Sequence, residues 1–273
     1  MELRNKIGIL TGASRGIGLH LADALARKGV HLALAARSES ELADTVAKVQ
    51  ARGVRAIGVP TDVTKREDLE RLLRRTHDEL GPPDLLVNNA GVQKVAHFTE
   101  LDPDDIAWII ETNVVALETL TRLTLPGMVK RGRGHICNIA SLSGKTAYPY
   151  NTVYASSKHA VVGFSWSLRE EMRPLGVEVS VVCPAFVSGD GMFARRHPED
   201  DAPRIAKPVT PEEVAAKTIE AIEKNRAEVL VANGLGNIVD VFHAISPDLT
   251  AKVQRRAGVY GYIEDEASRG SSA

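Results

Sequence analysis

Ile7-Gly8-Ile9-Leu10-Thr11-Gly12-Ala13-Ser14-Arg15-Gly16-Ile17-Gly18 passes from an apolar run through a glycine-rich turn into a helical pattern. Residues 7–10 read as a short buried strand. Ile17, Leu21, Ala24 and Leu25 then mark one face of a helix ending near Lys28-Gly29. Glycine permits a tight turn and close backbone approach, while the unpaired N–H groups and dipole of the following helix attract anions. The spacing is Gly-x3-Gly-x-Gly, not the Gly-x-Gly-x-x-Gly of the common dinucleotide fingerprint. Such a connection can merely turn the chain, but its place at the first strand–helix junction favours a phosphate site.

Working outward, strands and helices alternate. Residues 31–36 form an apolar strand of the kind a parallel sheet covers on both faces. At its end, where an acid usually holds the ribose 2′-hydroxyl of NAD, stand Ala36 and Arg37. Arg15 and Arg37 can converge on a 2′-phosphate, which selects NADP (NADPH) with NAD as second choice; the alternative is a pair of solvated arginines. A strand at 54–59 precedes Thr61-Asp62-Val63, where Asp62 can accept from an adenine amino group, cap a helix starting near Thr64, or both. A strand at 84–87 ends in Asn88-Asn89-Ala90-Gly91, small and turn-forming. One long helix is expected over 104–129, with Asn113 at an unfavourable interior position unless its amide has a partner. A strand at 134–140 delivers Ser141, a helix spans 151–173, and a strand at 177–182 runs into Cys183-Pro184-Ala185-Phe186-Val187-Ser188. A helix at 211–224 and a strand at 228–232 follow. Beyond 234 the pattern suggests a helix broken at Pro247 and a frayed Ser/Gly tail. The expected fold is α/β, a Rossmann-like doubly wound parallel sheet in a single domain. Residues 1–233 are read as its nucleotide-binding catalytic part, and 234–273 as a short C-terminal helical extension and tail of the same domain.

Composition narrows the function classes. The 273 residues carry 34 Lys plus Arg against 35 Asp plus Glu without a block of like charge, so nucleic acid is not an evident partner. Cys137 and Cys183 lie in apolar strand runs and read as small core residues of a reducing compartment. No signal peptide and no membrane span are read from the chain, which suggests a cytoplasmic location.

Within the helix at 151–173, Tyr154-Ala155-Ser156-Ser157-Lys158 places a phenol and an ammonium four residues apart, on one face. A positive charge beside the phenol favours phenolate and makes it a usable acid or base near neutral pH. Alone, the pair also fits a surface lysine lying over a half-buried tyrosine.

Taken together, the motifs resemble the short-chain dehydrogenase/reductase family in its single-domain form. The matching motifs are the glycine turn, Asp62-Val63, Asn88-Asn89-Ala90-Gly91, Asn113, Ser141, and Tyr154 with Lys158, and Ser141 precedes Tyr154 by thirteen residues as in that family. The resemblance implies that Tyr154 exchanges a proton with a carbonyl or alcohol oxygen and that Ser141 hydrogen-bonds the same oxygen. Lys158 would hold the nicotinamide ribose, and Asn113 a water leading from Lys158 to solvent. It assigns cofactor contacts to Gly12, Ser14, Arg15, Gly16, Ile17, Gly18, Arg37, Asp62, Val63, Asn89, Ala90, Gly91, Tyr154, Lys158, Pro184, Ala185, Val187 and Ser188. Hydride moves between nicotinamide and carbon, so no metal is required. Two positions depart from the family pattern: Ala185 replaces the usual glycine, and Ser188 the usual threonine.

The loops expected over the nicotinamide offer Gln93, Ser143, Tyr148, Phe186, Met192 and Phe193 as substrate contacts in a mainly apolar pocket; such residues can equally pack the loops. The expected activity is NADP-dependent transfer of hydride to or from a carbonyl or secondary alcohol. A 3-oxoacyl thioester reductase, or a non-catalytic NADP sensor or scaffold, is the alternative. The resemblance also implies a homotetramer or homodimer joined through the long helices.

Overall fold

The computed structural model describes residues 1–189, 208–234 and 239–270. In chain order the elements are β1 (Ile7–Thr11), α1 (Gly16–Arg27), β2 (His31–Ala36), α2 (Glu39–Gln50), β3 (Ala56–Pro60), α3 (Arg66–Glu79) and β4 (Leu85–Asn88). Next come α4 (Pro103–Ile110), α5 (Ala116–Arg131), β5 (Gly134–Ile139), α6 (Thr152–Met172), β6 (Val177–Pro184), α7 (Pro211–Glu223) and β7 (Glu228–Val231). Helices α8 (Val239–Ile245), α9 (Pro247–Arg256) and α10 (Val259–Gly270) follow.

The strands make one parallel sheet in the order β3-β2-β1-β4-β5-β6-β7, the expected Rossmann-like doubly wound fold. Apolar residues fill consecutive positions because both faces are covered: Leu32, Ala33, Leu34 and Ala35 are all fully buried. One face packs Leu21 and Leu25 of α1, Leu42 of α2 and Ile219 of α7. The other packs Leu72 of α3, Leu120 and Met128 of α5, and Leu168 of α6. The sheet reverses its direction of growth between β1 and β4, and ligands of such sheets gather outside the carboxyl ends of the strands at that reversal.

Two expectations need correction. The single helix expected over 104–129 is α4 and α5 joined by a π-turn, Glu111–Val115, with Asn113 inside it. Beyond 234 the helical pattern is broken at Pro247 as expected, since α8 ends at Ile245 and Pro247 opens α9 in its first turn, where its missing N–H is harmless; helix α10 then occupies most of the stretch expected to fray. Cys137 and Cys183 are free and buried, and burial pushes both thiols up to about 12. Among the described residues no helix is long and apolar enough to cross a membrane.

Candidate active site

The glycine turn is built by close approach. A Cβ on Gly18 would lie 1.9 Å from the Gly12 carbonyl oxygen, and one on Gly12, at φ +64°, would lie 2.9 Å from Ala90 Cα. Asn89 Nδ2 donates to the Thr11 and Gly12 carbonyls at 3.0 and 3.1 Å, while Thr11 Oγ1 accepts from the N–H groups of Asn89 and Ala90. The ends of β1 and β4 are thus stitched around the turn. Arg15, which precedes α1, caps none of its N–H groups with its side chain, leaving the helix start to an anion.

Gly12, Ser14, Arg15, Gly16, Ile17, Gly18, Arg37, Asp62, Val63, Asn89, Ala90, Gly91, Pro184, Ala185 and Val187 line one cleft of about 940 Å³, and so do Ser141, Tyr154 and Lys158. Arg15 and Arg37 are exposed residues of its lining, and neither has an ion-pair partner among the described residues. Asp62 does not cap α3, which starts at Arg66. Its Oδ1 closes a turn by accepting from the backbone and hydroxyl of Thr64, at 3.1 and 2.7 Å. Ser188, expected among the cofactor contacts, is not part of the cleft lining: its hydroxyl donates to the Val209 carbonyl at 3.2 Å.

The catalytic candidates come from three places: Asn113 from the π-turn, Ser141 from the turn after β5, and Tyr154 and Lys158 from α6. Asn113 sits just behind the cleft. Its Oδ1 accepts from Val92 N–H at 2.8 Å, and its Nδ2 donates to the Val92 carbonyl at 2.9 Å and Ser157 Oγ at 3.0 Å. Those bonds are the partner that a helix-interior asparagine needs. Ser157 in turn donates to the Tyr154 carbonyl at 2.7 Å. Lys158 is buried, and its Nζ donates to the Ile139 carbonyl at 3.0 Å and lies 5.7 Å from the centre of the Tyr154 ring. Burial lowers the Lys158 ammonium to about 8, so it remains mostly charged at neutral pH. Ser141 opens a short 3-10 turn, Leu142–Gly144, by accepting from Ser143 N–H at 3.1 Å. A Cβ on Gly144 would lie 2.6 Å from the Lys158 carbonyl oxygen, so this glycine sets how closely the Ser141 turn approaches α6.

Gln93, Ser143, Tyr148 and Phe186 also line the cleft; Met192 and Phe193 lie outside the described residues. The sequence reading passed over Ser157 and Asn151. Asn151 accepts from Gln93 Nε2 at 2.7 Å and ties two of the covering loops together. Ser157 was legible in principle, one turn from Tyr154 on the face that carries Lys158.

A doubly wound sheet with a glycine turn after β1 and a Tyr–Lys pair lining the same cleft defines a nucleotide-binding enzyme. The family model described as short chain dehydrogenase matches residues 6–200. The chain belongs to the short-chain dehydrogenase/reductase family and is an oxidoreductase. It is 37% identical over 270 residues to ketoacyl reductase HetN of Nostoc sp., spanning 97% of this chain and 93% of that one. It is 35% identical over 190 residues to the 3-oxoacyl-[acyl-carrier-protein] reductase FabG of Vibrio cholerae, spanning 70% of this chain and 77% of that one. Among solved structures, an actinorhodin polyketide ketoreductase with NADPH superposes with a TM-score of 0.79 at 32% identity, covering 85% of this chain and 97% of that one.

Proposed function

We propose that the protein reduces a ketone, or oxidises the corresponding secondary alcohol, on a mainly apolar substrate with NADP(H). The observation that carries this reading is the convergence of Ser141, Tyr154 and Lys158 on the cleft that also contains the glycine turn, with Asn113 bonded behind them. The residues fit a dinucleotide: side chains at Gly12 and Gly18 would fill the cradle, and two guanidinium groups without an ion-pair partner among the described residues stand where a 2′-phosphate belongs. When bound, NADPH supplies hydride to the carbonyl carbon.

Gly12, Ser14, Gly16, Ile17 and Gly18 hold the pyrophosphate, Arg15 and Arg37 the 2′-phosphate, and Asp62 and Val63 the adenine. Asn89, Ala90, Gly91, Pro184, Ala185, Val187 and Lys158 hold the nicotinamide riboside. Tyr154 donates its proton to the carbonyl oxygen in reduction and takes it back in oxidation. Ser141 hydrogen-bonds that oxygen as charge develops there. Lys158, cationic below about pH 8, favours the phenolate of Tyr154. Gln93, Ser143, Tyr148 and Phe186 face the substrate.

The names of the relatives favour a 3-oxoacyl thioester within this class. The reading extends to a cytoplasmic enzyme whose catalytic domain is residues 1–233, assembled as a homotetramer or dimer. Val115 of the π-turn and Trp166 of α6, 43% and 45% exposed, support that assembly.

The test is NADPH oxidation by the purified protein across ketones, aldehydes, quinones and 3-oxoacyl thioesters, with Tyr154→Phe alongside. The variant should lose about a hundred- to ten-thousand-fold in turnover while NADPH binding persists. Unchanged turnover sinks the assignment, and tight NADPH binding with no turnover on any substrate restores the sensor or scaffold reading.

A further inference from the structure

Helix α10 buries Val259, Ile263 and Ala267, one turn apart, against side chains from three different loops. Val95 comes from the loop after β4, Tyr148 and Tyr150 from the loop before α6, and Phe186 from the loop after β6. These loops surround the substrate end of the cleft, and Tyr148 and Phe186 line it with rings 5.9 Å apart. Tyr148 is half-buried in the cleft lining, and burial and the neighbouring Tyr260 phenol of α10 hold its pKa well above the usual range. Tyr150 is pinned as well. It carries φ +62°, its carbonyl accepts from Ala96 N–H at 3.0 Å, its ring meets His97 edge-on at 4.7 Å, and its hydroxyl bonds Glu264 of α10. A non-glycine residue keeps a positive φ only where its surroundings over-determine it.

Between them these contacts make α10 the backing of the substrate wall, although Val259, Ile263 and Ala267 do not themselves line the cleft. We propose that α10 determines substrate size, with Ile263, at the centre of its buried stripe, positioning Tyr148 and Phe186 in the cleft. This inference rests on the ketone-reduction reading above and adds to it the element that selects among ketones. The physical basis is packing: rings backed by close-packed aliphatic groups cannot withdraw, whereas rings backed by a void can.

The test compares wild type with Ile263→Ala on short-, medium- and long-chain 2-ketones, with NADPH affinity read from nicotinamide emission. The ratio of kcat/KM for long over short ketones should rise about tenfold, mainly through KM, with the NADPH Kd unchanged. Binding of the long-chain alcohol to the NADP complex, measured calorimetrically, should tighten in parallel. Val259→Ala, a smaller truncation, should move the ratio in the same direction and serves where Ile263→Ala does not fold. An equal loss for every ketone, or a weaker NADPH Kd, would mean a merely structural helix and overturn the proposal. A wild type that oxidises NADPH with no ketone at all overturns the functional reading, and this inference with it.

Discussion

The Asn113 amide donates to Ser157 Oγ across 3.0 Å, so the π-turn between α4 and α5 is bonded to the helix that bears Tyr154 and Lys158. Asn113→Ala leaves the N–H and carbonyl of Val92 without their side-chain partner. The expected loss is about 3 kcal/mol of stability, read from the urea midpoint. Ser157→Ala removes only one of these bonds, along with the local bond from its hydroxyl to the Tyr154 carbonyl one turn back, and should cost about 1–2 kcal/mol. Equal losses would mean that the Val92 bonds contribute nothing.

Lys158 carries a pH signature. Its ammonium titrates near 8 in the fold, against about 10.4 for an unfolded lysine. Below pH 8 both states are charged, and the fold bears a burial penalty of about 3 kcal/mol. Between the two values the unfolded chain holds the proton that the fold has released, so stability from this group rises with pH. Lys158→Met should therefore stabilise the apo-protein at pH 7 by about 2 kcal/mol, after the loss of the Ile139 bond. That advantage should shrink as pH approaches 10, and thermal melts across the range check it. A constant difference would place the lysine in solvent.

Two glycines make a matched pair. Gly18→Ala drives a methyl group into the Gly12 carbonyl and should abolish detectable NADPH binding in a fluorescence titration. Gly163, inside α6, has nothing within 4 Å of a Cβ, so Gly163→Ala should gain about 0.5–1 kcal/mol from helix propensity and leave turnover unchanged. Wild-type NADPH affinity in Gly18→Ala would remove the cradle from the binding account.

Arg37→Asp tests cofactor choice. NADPH affinity should fall about tenfold or more, since a charge-assisted bond to phosphate is exchanged for repulsion, while NADH binding changes little. Titrating both nucleotides into the variant decides it. Equal losses would remove the 2′-phosphate from the account.

Local signals explain what the sequence disclosed. The strands were legible because sheet faces covered on both sides demand consecutive apolar residues, as at Leu32 to Ala35. The cleft lining was legible because the glycine turn and the Tyr154–Lys158 spacing are short-range patterns. The π-turn at Asn113 was not, since one wider turn barely disturbs a helical period. Helix α10 hid behind its glycines, although Val259, Ile263 and Ala267 repeat every four residues. Ser188 falls outside the cleft lining, and Asp62 lines the cleft without capping α3, for a different reason. One hydroxyl is taken by Val209, 21 residues away, and one carboxylate by a turn that ends before its helix begins. The first kind of competition becomes visible only once the chain has closed on itself, whereas the second is a local turn.

The stitch from Asn89 to Thr11 and Gly12 has a thermodynamic consequence. Because β4 clasps the turn through side-chain and backbone bonds of the protein itself, the recess has its shape before any nucleotide arrives. Its ordering entropy is lost at folding rather than at association. Affinity at that end of the cleft then reflects the bonds made to the nucleotide, undiminished by the freezing of a slack loop.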